Sequence, residues 1–186
     1  MKNATHAQGL QGIKNALYAG IDSIEHGCFL DDECLERMKE QNTFLVPTLC
    51  APQCIIDKGV ENGVAKYAVD KTLKVKDAHV ESVKKAYERG IPIALGTDAG
   101  TPFNYHNNTA YEMELLARLN IPNMDILKMA TINSARCVGV EKDYGSIEVG
   151  KQADLVCLNE NPLENISNVR KINRVIQSGK IVVDNN

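Results

Sequence analysis

The 186-residue chain contains no apolar run approaching the length of a membrane span, which takes about 20 mostly apolar residues in helical form. It also lacks a basic stripe: the formal net charge is −3 and the pI about 5.8, which argues against nucleic acid as a partner. None of the six cysteines forms a C-x-x-C pair, so a structural zinc knot is not expected. Cys28, Cys34, Cys50, Cys54, Cys137 and Cys157 are scattered, mostly in apolar surroundings, and read as reduced thiols of a cytoplasmic protein. No low-complexity tract is present. No signal peptide opens the chain, but the start need not be the native one, so localisation rests on the cysteines. At 44% hydrophobic and 24% charged residues, the composition is that of a globular domain with a core of its own. The chain is nonetheless short of the roughly 250 residues of a complete eight-stranded α/β barrel.

What the chain does contain is a strand–turn–helix unit, repeated. Met1 to Thr5 reads as the tail of a strand, and Gly9 to Ala19 as a helix with Leu10, Ile13, Ala16 and Leu17 at helical spacing. Gly20 ends that helix. Ile21 to Ile24 reads as a second strand. Asp31 and Asp32 suit the start of a second helix, with Cys34, Leu35 and Met38 inward. Phe44 to Leu49 is expected as a third strand, residues 51–63 as irregular chain, and Val64 to Glu88 as a long helix with Val69, Leu73, Val80, Val83 and Tyr87 as its apolar face. Ile91 to Leu95 is the fourth expected strand. Strands alternating with helices predict a parallel sheet. Helices follow from Thr109 to Leu119 and from a cap at Asn123 through Met129, with a short piece over Asn133 to Val138. From Tyr144 the pattern turns to β, at Ala153 to Leu158, Arg174 to Gln177 and Lys180 to Val183, with a tight hairpin at Ser178-Gly179.

Three strand ends carry chemistry-bearing side chains: His6, His26 and Asp98, the last in L-G-T-D-A-G. Parallel α/β barrels place their catalytic groups at the C-terminal ends of strands. Two imidazoles and one carboxylate so placed predict a divalent metal site. Singly, each has a plainer reading, as a satisfied half-buried histidine or as a turn-forming aspartate. Thr48, near the end of the third strand, and Tyr105 and His106, in the loop beyond Asp98, are candidates to touch substrate. His79 reads as a surface residue of the long helix. Glu25 is expected to point to the face opposite His26 in a structural role, and Asp154 to anchor a turn.

The segments T-H-A-Q-G (Thr5 to Gly9), A-G-I-D-S-I-E-H-G (Ala19 to Gly27), the turn around Asp98, A-T-I-N-S-A-R (Ala130 to Arg136), G-S-I-E-V-G-K-Q-A-D-L-V (Gly145 to Val156) and N-P-L (Asn161 to Leu163) together resemble the amidohydrolase superfamily, in its imidazolonepropionase-like and Xaa-Pro dipeptidase-like (prolidase-like) branch. That resemblance implies an α/β fold: the C-terminal half of a distorted TIM-type barrel, strands five to eight, over residues 1–143, and strands of a small β-sandwich domain over 144–186. It implies one or two divalent metals, zinc first, held by His6 (fifth strand), His26 (sixth) and Asp98 (eighth), with Asp98 also the catalytic base. The family's H-x-H pair is nowhere in the chain.

The implied activity is that of a metal-dependent hydrolase, in which a metal-activated water attacks a C–N bond of an Xaa-Pro dipeptide or N-acyl amino acid; a cyclic-amide hydrolase of the imidazolonepropionase type is the alternative. A reading of another class is a catalytically incomplete half-barrel. Exposed strand edges and half a core would drive it to self-associate, so a homo-oligomer is expected.

Overall fold

A computed structural model describes residues 1–185 as an α/β chain with two three-stranded sheets. In the first, β1 (Ala4–Ala7), β2 (Ser23–His26) and β3 (Phe44–Val46) lie side by side and parallel. Helices α1 (Leu10–Tyr18) and α2 (Asp32–Gln41) are the crossovers. Asp31 caps α2 by accepting from the Cys34 N–H at 2.9 Å, and Cys34, Leu35 and Met38 are buried as expected. They join Ile13, Leu17, Ile24 and Leu45 in the main core.

The third and fourth expected strands are shorter than their apolar runs. Pro47 cannot donate to a ladder, and β3 stops at Val46. The segment Ile91 to Leu95 meets β3 through one parallel bridge, Leu45 to Ile93. Two backbone bonds hold it there, Leu45 N–H to the Pro92 carbonyl (2.9 Å) and Ala94 N–H to the Leu45 carbonyl (3.0 Å). At Leu95 the N–H turns away to the Met129 carbonyl and to Ser134 Oγ, which ends the pairing.

Residues 51–63, expected to be irregular, are largely helical: α3 spans Cys50–Lys58, followed by a single 3-10 turn at Val60–Asn62. Pro52 falls in the first turn of α3, where backbone N–H groups have no partner inside the helix, so it does not break the helix. The long helix α4 (Lys66–Glu88) buries Thr72, His79, Ser82, Val83 and Ala86, whereas Leu73 is half exposed. The inward stripe is therefore partly polar, and His79 belongs to the interior (3% exposed), contrary to its surface reading.

Helix α5 (Thr109–Ala117) follows the loop after Asp98. Next come α6 (Asn123–Lys128), one π turn at Met129–Asn133 and α7 (Ser134–Val138). Asn123 does not cap α6; its amide instead reaches the Leu163 carbonyl. The second sheet is antiparallel, β4 (Leu155–Leu158), β5 (Ile172–Gln177) and β6 (Lys180–Asp184). Ser178 and Gly179 both have positive φ, the geometry of a two-residue hairpin turn. Asp154 Oδ1 accepts from the Ser178 N–H at 2.7 Å, so Asp154 anchors the turn.

Ser82 shows how α4 is fixed to the end of β2. Its buried hydroxyl donates to the Cys28 carbonyl and accepts from the Leu30 N–H, each at 3.0 Å. Ser82→Ala strands both backbone groups in the interior, and urea unfolding should show a loss of about 1–3 kcal/mol. A loss below about 0.5 kcal/mol would contradict this.

Candidate active site

His6 and His26 meet. Their ring centroids are 4.5 Å apart with planes at 71°. Strand alternation alone would not bring them together, because His6 is in register with Glu25 and His26 with Ala7, which sets the two histidines on opposite faces. At His26 the backbone leaves the extended region, with φ 72°, and this turn brings the ring round to His6. Thr48 and Asp98 follow the same pattern beyond β3 and the fourth segment, each with φ 54°. Left-handed backbone at a non-glycine residue costs on the order of 1–3 kcal/mol, so the surroundings must enforce it at three strand ends.

Those surroundings are specific. His26 is buried, and its Nδ1 shares a 2.6 Å hydrogen bond with the buried Thr48 hydroxyl. Burial holds the His26 pKa below the usual imidazole value; the charge of His6 acts in the same direction and that of Asp98 against it. Behind His26, burial lowers the His79 pKa to about 4, opposed by the nearby Pro47 carbonyl. His79 Nε2 is buried without a hydrogen-bond partner, and burial keeps the ring neutral at pH 7 against the backbone of Pro47 and His26.

Glu25 lies on the same face as His6. With Ala4, Ser23, Val46, Ala94 and Gly96 it lines an open cleft of about 480 Å³. Gly96 is required there, since a Cβ would stand 2.5 Å from Val46 Cγ1. Glu25 accepts from Ser23 Oγ at 2.8 Å. Burial raises its pKa against that bond, with a further contribution from the charge of Asp98.

Asp98 is thus near enough for its charge to act on both Glu25 and His26. Its side chain is exposed, while its carbonyl accepts from Asn104 Nδ2 at 3.0 Å. Among the described residues, no three His, Cys, Asp or Glu side chains gather closely enough to enclose a metal ion. The structure therefore brings His6, His26 and Thr48 together and leaves the Asp98 carboxylate outside a closed cluster. Tyr105 and His106 are exposed in the loop after Asp98 and make no hydrogen bond or ring contact with the histidine pair.

Sequence reasoning missed Glu112. It is fully buried and accepts from the N–H groups of Leu49 (2.9 Å) and Cys50 (2.6 Å) at the start of α3. The local sequence carried little signal: Glu112 and Glu114 alternate with Tyr111, Met113 and Leu115, and nothing in that pattern marks which acid turns inward.

The profile of the Amidohydrolase family matches residues 1–182. The ochratoxinase of Aspergillus niger is 31% identical over 185 residues, 96% of this chain and 37% of that protein. A crystal structure of a Xaa-Pro dipeptidase with bound methionine in the active site shares 37% identity at a TM-score of 0.90, over 97% of this chain and 44% of that one. A putative prolidase from Bifidobacterium longum shares 33% at a TM-score of 0.92, over 98% and 47%. The chain thus spans less than half the length of these relatives.

Glu112 generates a pH prediction. Burial pushes its pKa up from about 4.5 to about 8, although two backbone N–H donors favour the charged form. A group whose folded pKa is raised contributes stability that is complete below the unfolded value and lost as pH rises through the folded one. Unfolding free energy should therefore carry a component that falls between about pH 4.5 and 8, and Glu112→Gln, uncharged throughout, should lack it. A wild-type and variant pair with parallel pH profiles in urea unfolding would refute this.

Proposed function

The chain belongs to the amidohydrolase family, and from that premise we propose that it carries part of the active site of a metal-dependent hydrolase acting on a C–N bond, with an Xaa-Pro dipeptide or N-acyl amino acid as substrate. The observation that carries this reading is the histidine pair with His26 Nδ1 anchored on Thr48. A metal-binding imidazole commonly has its second nitrogen fixed by an acceptor. In the tautomer that donates Nδ1–H to Thr48 Oγ1, Nε2 of His26 carries the free lone pair. The environment of His26 also favours the neutral ring that ligation needs. The two imidazoles fit two positions around a divalent cation, zinc first among the candidates.

A bound divalent cation supplies Lewis acidity and lowers the pKa of water from about 15.7 towards 7. The chain's own residues do the rest. His6 and His26 would hold the cation, and Thr48 holds the orientation of the His26 ring through Nδ1. Asp98 takes the proton of the attacking water and returns it to the leaving nitrogen. The exposed Tyr105 and His106 line the approach of substrate. The likeness to the Xaa-Pro dipeptidase and prolidase structures favours a dipeptide over a cyclic amide of the imidazolonepropionase type, whose reacting group is the same.

A second reading is favoured by exposed apolar surface. Ile147, Val149, Ile181 and Val182 are all more than half exposed on or beside the second sheet, and β1 and β3 each pair with β2 alone among the named strands. Such surfaces drive association, and we propose that the chain is a homo-oligomer. Light scattering at micromolar concentration should give a mass above the 20.4 kDa of one chain, and a monodisperse monomer would count against it.

For the metal reading, competition with a chromogenic chelator should show zinc bound by the wild-type chain and weakened at least about tenfold by His6→Ala or His26→Ala. Asp98→Asn should lower hydrolysis of an Xaa-Pro dipeptide by about 10²–10⁴. Unchanged zinc binding in the doubly substituted histidine variant would sink this assignment.

A further inference from the structure

Three polar side chains recur every four residues from the loop after Asp98 into α5: Asn104, Asn108 and Glu112. Asn104 and Glu112 are almost completely buried. Buried polar groups are retained where their hydrogen bonds are met, and the partners of this row lie at the strand-end turns of the candidate site. Asn104 Nδ2 donates to the carbonyls of Thr97 (2.5 Å) and Asp98 (3.0 Å). Its Oδ1 accepts from Asn108 Nδ2 at 3.2 Å, and Asn108 Nδ2 also reaches Cys54 Sγ on α3 at 3.7 Å. Glu112 takes the N–H groups of Leu49 and Cys50, the two residues that follow Thr48.

The row therefore grips the Asp98 turn at one end and the Thr48 turn at the other, and both turns are left-handed. We propose that Asn104, Asn108 and Glu112 form a positioning frame that sets the histidine pair and the Asp98 carboxylate in mutual register, with Glu112 holding Thr48 against His26. This rests on the reading of His26 and Asp98 as site residues. Glu112 touches neither substrate nor cation in this scheme. It acts through the start of α3 and the Thr48 hydroxyl, so its effect is on the orientation and hydrogen bonding of the His26 ring.

The test uses the full 186-residue chain, metal-free and labelled with ¹⁵N-histidine. Thr48→Val breaks the bond to His26 Nδ1 directly and identifies its resonance. Glu112→Gln should move that resonance in the same sense and at least about half as far, whereas Ile126→Val, a core change in α6, should leave it in place. An unmoved His26 signal in Glu112→Gln, or an equal shift in Ile126→Val, overturns the proposal. If Glu112→Gln does not fold, Glu112→Asp is measured by the same criterion; loss of the fold in both assigns the carboxylate to stability alone and also overturns it. Zinc titration of the same samples separates this inference from the metal reading. Positioning predicts zinc binding about 10–100-fold weaker in Glu112→Gln. A wild-type chain that binds no zinc removes the metal reading, while the imidazole shifts still decide the role of Glu112.

Discussion

The 2.6 Å hydrogen bond between His26 Nδ1 and the Thr48 hydroxyl is the contact on which the candidate site turns. It joins the ends of two neighbouring parallel strands, and it is available only because both residues leave the extended region, at φ 72° and 54°. Had β2 run on regularly, His26 would face the helices with Ile24, and His6 would stand alone beside Glu25. Strained backbone of this kind persists where packing and hydrogen bonds over-determine it. Here that support is close by: Gly27 N–H reaches the Ala7 carbonyl at 3.1 Å, His79 fills the interior behind His26, and Glu112 ties down the residues after Thr48.

Electrostatics separates the roles of these groups. His79 and His26 are both pushed towards the neutral ring by burial, but only His26 has a ring nitrogen engaged with a hydroxyl and a second imidazole at its edge. Glu112 and Glu25 are both pushed towards the neutral acid by burial. Glu112 is opposed by two backbone donors at a helix start, a place that favours negative charge. Glu25 is opposed only by Ser23 and faces an open cleft. Two acids with the same direction of shift thus differ in setting: the fully buried Glu112 is a structural clamp, and the half-buried Glu25 is a polar group on the sheet face where His6 also stands.

Much of this was legible in the residues. The strand-end positions of His6, His26 and Asp98 follow from short apolar segments that stop at polar turn residues, and the cap at Asp31 and the hairpin at Ser178-Gly179 follow from local chemistry that tertiary packing had no reason to override. Other features were hidden for identifiable reasons. Helix α3 was obscured by Pro52 and by the glycines after it, because a proline in a first turn and a proline that breaks a helix look alike in sequence. Leu95 reads as strand, but its N–H goes to Met129 and Ser134, a choice made 34 or more residues away in the chain. His79 sits between lysines and acids in sequence, and only the packing of α4 shows that it faces inward.

Ligand number connects the geometry to the proposed binding of a cation. Two imidazoles supply half of a four-coordinate shell, and no third group closes around them among the described residues. The charge of Asp98 acts on His26, while its side chain stays exposed. Open coordination positions are what catalytic sites keep and structural sites fill. Under the proposed reading, the two imidazoles and the nearby exposed carboxylate would leave such positions open to water and substrate. The competence of such a site then depends on how firmly the strand-end turns are held, because a displacement of about 1 Å in a reacting group can cost about a hundredfold in rate.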